Sequence, residues 1–140
     1  YQVYGPYQKS DRLVPYVINS CLKSKKFPCS SGEQLRDFLF IQDFTVLINR
    51  ILRSKKKYNS GIYNVGTQKP HKVKHVINLI KKLVNKGNPN FGEITMRKEE
   101  QLNLYPNIKK IISFFNWKPK TTLANGLKKT IKFYKNNKEF

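Results

Sequence analysis

The run Gly32-Glu33-Gln34-Leu35-Arg36-Asp37-Phe38-Leu39-Phe40-Ile41-Gln42-Asp43 passes from a turn into an apolar stretch and then into a helix start. Ser30-Ser31-Gly32-Glu33 has turn composition, and Leu35 to Ile41 is rich in β-forming residues, so the spacing predicts a strand over 35–41. Arg36, Phe38 and Phe40 share one face of that strand. Asp37 shares the other with Leu35, Leu39 and Ile41, where a buried carboxylate needs a partner or a backbone donor. A helix over 43–54 is expected next, with Phe44, Leu47, Ile48, Ile51 and Leu52 on one side, ending in the solvated run Lys55-Lys56-Lys57.

Upstream, Tyr4-Gly5-Pro6 is a turn signal with no element before it, so the chain reads as the C-terminal part of something longer. A first helix is expected over 12–23, with Leu13, Val14, Val17, Ile18, Cys21 and Leu22 at helical spacing. Ser10 or Asp11 stands ready as its cap, and Pro15 is tolerable near that end. Lys26 to Ser30 has extended character. Downstream, Gly61 to Gly66 reads as a strand bracketed by glycines, and Val73, Val76, Ile77, Ile80, Leu83 and Val84 mark a helix with lysines opposite. Lys86-Gly87-Asn88-Pro89-Asn90 should stop that helix, with 92–97 extended after it. A short helix over 108–115 is capped by Asn107, a loop covers 116–120, and a last helix turns Leu123, Leu127, Ile131 and Tyr134 inward.

The 140 residues suit one domain, and 39% hydrophobic content is enough for a core. The formal net charge is +20, and only five of the 28 basic residues are Arg. A Lys-heavy, Asn-rich balance fits a compositional bias as well as a nucleic-acid site. The lysines fall on the polar faces of amphipathic helices, without the aromatic or Arg interleaving of a nucleic-acid module. No apolar run approaches the roughly 18 to 20 residues that span a bilayer, and no signal peptide opens the chain, so a cytoplasmic protein without a membrane partner is expected. Cys21 and Cys29 lack zinc spacing and read as reduced thiols. His71 and His75, at i and i+4, have no further ligand beside them and read as a solvated face.

Arg36 and Arg97 each lie at or near a strand beside a turn, and the planar guanidinium fork suits bidentate phosphate recognition. The other reading stands beside it: Arg36 pairs with a nearby acid, and Arg97 is a surface residue next to Glu99 and Glu100. Neither a GxGxxG loop nor a Ser-His-Asp arrangement is present.

Taken in order, Tyr4-Gly5-Pro6, Arg12-Leu13-Val14-Pro15, Gly32 to Phe38 running into Phe40-Ile41-Gln42-Asp43, Tyr63-Asn64-Val65-Gly66, and Trp117-Lys118-Pro119 before Gly126-Leu127 resemble the second half of extended short-chain dehydrogenases/reductases. These are NAD(P)-dependent nucleotide-sugar epimerases, dehydratases and reductases, and the resemblance covers nearly the whole chain. The run 88–108 also resembles the reductase-like CDP-abequose synthases. The resemblance implies an α/β fold: the C-terminal fragment of a Rossmann-type enzyme, with 1–140 as its small substrate-binding portion of helices and short strands. It also implies a nucleotide-diphosphate sugar as partner, no specific nucleic acid, and a homodimer as one form of the intact enzyme. NAD(P) would be bound mainly by an N-terminal part absent here. By the same analogy Arg36 grips the substrate diphosphate and Arg97 helps from the opposite side. Arg12, Leu13, Phe27 and Cys29 line the base pocket, and Gln2 lies near the phosphates.

Departures accompany the resemblance: relatives carry two acids where this chain has Gln42-Asp43, a Gly-Ser-Gly-like turn at Gly66-Thr67-Gln68, and an acid at Asn107. The Tyr-x-x-x-Lys pair and glycine fingerprint of the family are expected before residue 1, so the fragment alone should be inactive. It should also be marginal or aggregation-prone, because helices such as 73–84 lose packing surface. The competing expectation is a small basic nucleic-acid-binding protein, complete as it stands.

Overall fold

The computed structural model describes residues 1–54 and 60–137, so the Lys55-Lys56-Lys57 run lies outside the described residues. Strand β1 (Gln2–Tyr4) leads through the Gly5-Pro6 turn to α1 (Leu13–Leu22) and β2 (Lys26–Cys29). Arg12 is the N-cap of α1, so neither Ser10 nor Asp11 caps it, and Pro15 falls in the first turn, where its missing N–H costs nothing.

The strand expected over 35–41 is in fact two: β3 (Leu35–Arg36) and β4 (Phe38–Phe40), separated by Asp37. The break is a change of partners. Gln2 N–H bonds to the Asp37 carbonyl at 3.0 Å, and from there β4 runs parallel to β1, whereas β3 belongs to another sheet. Asp37 is completely buried. Its carboxylate accepts the Thr67 N–H at 2.8 and 3.0 Å and the Thr67 hydroxyl at 3.0 Å, which supplies the donors that burial demands. A Cβ on Gly66 would come 2.4 Å from Pro106 and 3.0 Å from the Asp37 carboxylate, so only glycine lets this loop close on Asp37.

Helix α2 (Ile41–Arg53) follows β4 directly. Gly61 to Gly66, expected as a strand, makes no ladder; Tyr63 and Val65 pack sideways into a hydrophobic cluster instead, and Lys110 Nζ donates to the Ile62 carbonyl. Next come β5 (His71–Lys72), α3 (Val73–Val84) and β6 (Asn88–Phe91), the last placed where the sequence suggested only a helix stop. The extension expected over 92–97 is irregular; the chain is in strand form earlier because 88–91 pairs in parallel with β2. Pro89 is acceptable there because β6 has one strand neighbour and no second ladder to supply. The chain closes with β7 (Asn103–Leu104), α4 (Lys109–Phe115) and α5 (Leu123–Asn136). Asn107 Oδ1 accepts the Lys109 N–H at 3.0 Å at the start of α4, and Thr122 caps α5.

Three small sheets result: β1–β4 parallel, β2–β6 parallel, and β5–β3–β7 with β3 antiparallel to β5 and parallel to β7. Alternation along β4 sends Phe38 and Phe40 into one core with α1, α3 and α5, and Leu39 into a second with Leu47, Ile111 and Trp117. Helix α3 keeps its apolar stripe buried, so the loss of packing surface expected there is not found. The exposed stripe is on α2: of the five apolar residues expected on its inner side only Leu47 is buried, and Leu52 is 77% exposed.

Replacing Asp37 by Ala would orphan the Thr67 N–H inside the fold. The expected cost is about 1.5 to 3 kcal/mol, the range for hydrogen bonds to a charged group, read as a lower urea midpoint with an unchanged slope; an unchanged midpoint would remove Asp37 from the role given to it here.

Candidate functional site

β3, the start of α1 and the end of β2 surround a cleft of about 380 Å³ whose lining includes Gln2, Leu13, Tyr16, Cys29, Gln34 and Arg36. β3 sets Arg36 there with only 7% of its surface exposed. One terminal nitrogen donates to the Leu35 carbonyl at 2.7 Å, and the other forms an ion pair with the Glu100 carboxylate. Glu100 in turn ends a turn closed by its own N–H on the Arg97 carbonyl at 3.0 Å. The Gln34 side-chain oxygen is buried and has no hydrogen-bond partner among the described residues, so the wall beside Arg36 holds an unused acceptor.

Four of the seven residues singled out from sequence come together in this cleft: Gln2, Leu13, Cys29 and Arg36. Phe27 is packed in the core, its ring 5.9 Å from that of Tyr16 and edge-on to it. Arg12 and Arg97 are exposed and outside the cleft lining. Residues not singled out, Tyr16 and Gln34, had a signal available. Tyr16 follows Leu13 by one helical turn, and Gln34 precedes Arg36 by two positions in extended chain, which in each case returns a side chain to the same side.

The Cys29 thiol is pushed above its ordinary range by burial, with the Glu93 carboxylate adding to the effect. Cys21 is pushed up to about 11, again chiefly by burial. Both cysteines are free thiols. Tyr-x-x-x-Lys spacing does occur in the chain, at Tyr105–Lys109 and Tyr134–Lys138. Tyr105 and Lys109 are both exposed at the start of α4, away from the cleft. Tyr134 is buried and donates to the Gln8 carbonyl at 2.6 Å, while Lys138 lies outside the described residues.

Short parallel strand pairs packed among helices make this an α/β protein, and a nearly buried, ion-paired guanidinium lines its first cleft. The family model for the NAD dependent epimerase/dehydratase family matches residues 1–66. The chain is 30% identical to CDP-abequose synthase of Salmonella muenchen over 92% of its own length and 44% of that protein's. Among solved structures, it superposes on dTDP-glucose 4,6-dehydratase from Bacillus anthracis in complex with NAD with a TM-score of 0.86 and 27% identity, covering 99% of this chain and 44% of that one. UDP-glucuronic acid 4-epimerase from Bacillus cereus, in complex with UDP-glucuronic acid and NAD, gives 0.87 and 25%, covering 96% of this chain and 43% of that one. The chain is thus similar, over nearly its whole length, to members of this epimerase/dehydratase family, the extended short-chain dehydrogenases/reductases. It spans less than half the length of these relatives.

Because burial and Glu93 disfavour the Cys29 thiolate, alkylation of Cys29 by iodoacetamide at pH 7 should run well below the rate of a free cysteine peptide, and should rise only at a pH above that peptide's own titration. Mass spectrometry of time-quenched samples checks it; a Cys29 rate equal to the peptide's would contradict the assigned environment.

Proposed function

We propose that residues 1–140 form the C-terminal substrate-binding portion of an NAD(P)-dependent nucleotide-sugar epimerase, dehydratase or 4-ketoreductase, and that the Arg36 cleft takes the nucleotide-diphosphate sugar. The carrying observation is Arg36 itself, the buried member of the chain's five arginines, set in a cleft in a chain that meets most other needs for positive charge with lysine. A guanidinium there needs a countercharge at all times. Glu100 supplies it in the free protein and, with its side chain 28% exposed, can turn toward water when a diphosphate offers two parallel acceptors. Gln2, Leu13 and Cys29 line the same cleft, which supports giving Gln2 to the phosphates and Leu13 and Cys29 to the base; Arg97 is exposed and outside that lining.

The cofactor is assigned mainly to the portion of the relatives that this chain does not span. The two strand-to-helix junctions described here do not suit a dinucleotide pyrophosphate. At β4–α2 the helix starts without glycine and carries Asp43 in its first turn, and at β5–α3 the Val73 and Lys74 amides are spent on the Gln34 and Gly32 carbonyls. The part played by this chain is therefore binding: it holds the diphosphate so that a sugar carbon is presented at a fixed distance from the hydride donor. A cytoplasmic enzyme with a homodimer as one form of the intact protein goes with this reading.

In the intact enzyme, Arg36→Ala should weaken nucleotide-sugar binding by about 1.5 to 3 kcal/mol, the range for hydrogen bonds to a charged group, measured by calorimetry. Glu100→Gln should leave binding intact or tighten it, because it removes the competing carboxylate. Unchanged affinity in Arg36→Ala would refute the assignment. A loss in Glu100→Gln as large as that in Arg36→Ala would mean that the pair is structural.

A further inference from the structure

A second and larger cleft, of about 730 Å³, shares Phe38 with the first. Its size falls inside the range of about 300 to 1,000 Å³ typical of small-ligand sites. Lys69, Lys118, Lys120, His71 and His75 line it, and no carboxylate does. Phe38, Leu79 and Ile112 make an apolar surface within it. The ammonium groups of Lys69, Lys118 and Lys120 have neither an ion pair nor a hydrogen bond among the described residues. The His71 and His75 rings stack with centroids 5.5 Å apart and planes 17° from parallel. His75 is exposed and His71 half-buried, so the solvated face that the sequence suggested for them also forms one wall of the cleft.

The acids near this cleft are committed elsewhere. Asp37, whose charge reaches His71, spends its oxygens on Thr67; Asp43 accepts the Thr121 N–H at 2.9 Å; and Glu33 is paired with Lys72. Three lysine side chains thus line one cleft with no countercharge among the described residues, beside the histidine pair and an apolar patch. Like charges brought together in this way repel, and a multivalent anion is what would relieve them.

We propose that this second cleft binds a small phosphorylated molecule, its phosphate between Lys69, Lys118, Lys120 and the histidine pair and its uncharged body against Phe38 and Ile112. The assignment does not depend on the reading of Arg36. Burial and the neighbouring His75 hold His71 below its ordinary titration range, and Asp37 opposes them in part. A bound phosphate would stabilise imidazolium, so binding and proton uptake by His71 are linked and phosphate should raise the His71 titration midpoint.

The test uses inorganic phosphate on the 140-residue chain, at constant ionic strength maintained with sodium chloride. The two histidines are followed by NMR, with His75→Gln to assign them. Phosphate should raise the His71 titration midpoint by about half a pH unit or more. The double variant Lys118→Glu/Lys120→Glu should weaken phosphate binding about tenfold or more, as expected for the loss of charge-assisted contacts. Lys128→Glu/Lys132→Glu, the same charge change in the smaller lysine-lined groove on α5, should change it less than about twofold, as screened surface charges do. An unmoved His71 signal, or equal losses in the two double variants, would overturn the proposal and reduce the effect to the general attraction of a chain carrying +20.

Discussion

The structure turns on one buried carboxylate that has no ion-pair partner among the described residues. Asp37 sits between two strands that belong to different sheets, and its side chain is satisfied by the amide and hydroxyl of a single residue, Thr67. A charge buried in this way is tolerable only when its hydrogen bonds are complete, so the contact fixes where the 60–69 segment passes and which way β3 and β4 diverge. Arg36 on one side of Asp37 is thereby set in the first cleft, and Phe38 on the other is shared by both clefts. Glycine at 66 belongs to the same constraint, because any side chain there would displace the carboxylate or Pro106.

Eight acids stand against 28 basic residues, and five of the eight have a definite structural task among the described residues. Asp37 and Asp43 receive backbone amides, Glu100 balances Arg36, Glu33 meets Lys72, and Glu93 accepts from Asn90. Two of the five arginines deliver more than one hydrogen bond: Arg36 in the cleft, and Arg50 on the Phe115 and Asn116 carbonyls at the end of α4. Lysine is left to solvated faces, where a flexible, strongly hydrated ammonium costs little to keep. The high net charge is then largely a property of surfaces, and what distinguishes the second cleft is that its cations gather in a concavity.

The sequence made legible whatever is local. Helix α3 shows its complete apolar stripe in sequence because all of it faces one core, and the period of two in 35–41 correctly separates Phe38 and Phe40 from Leu39. The split at Asp37 was hidden because strand partners are non-local: β1 and β7 lie far from β3 and β4 in the chain. Asn88 to Phe91 carries turn-forming residues and still pairs, since an edge position relaxes the demand on Pro89. Arg36 was recognisable from the chemistry of its side chain, but the carboxylate that occupies it is 64 residues away. The second cleft was not legible at all, because it is assembled from segments around 69, 75, 108 and 120 whose meeting no periodicity encodes.

Strands of two to four residues form ladders too short to hold a fold by themselves, so the arrangement depends on helix packing and on side-chain ties. Helix α2 illustrates the second. It buries little beyond Leu47 and Asp43, yet it is fixed at both ends. Near its N-terminus Asp43 accepts the Thr121 amide, and toward its C-terminus Arg50 takes the carbonyls that close α4. A carboxylate at the positive end of the helix dipole and a guanidinium toward the negative end each gain from their position as well as from their partner. Because α2 is anchored by charge at its ends, its outward apolar residues are released from packing, and their exposure costs the fold of this chain little. The loop at 116–122, held between those two ties, is what brings Lys118 and Lys120 to the second cleft; the helix that contributes least to the core therefore fixes the wall on which the cations stand.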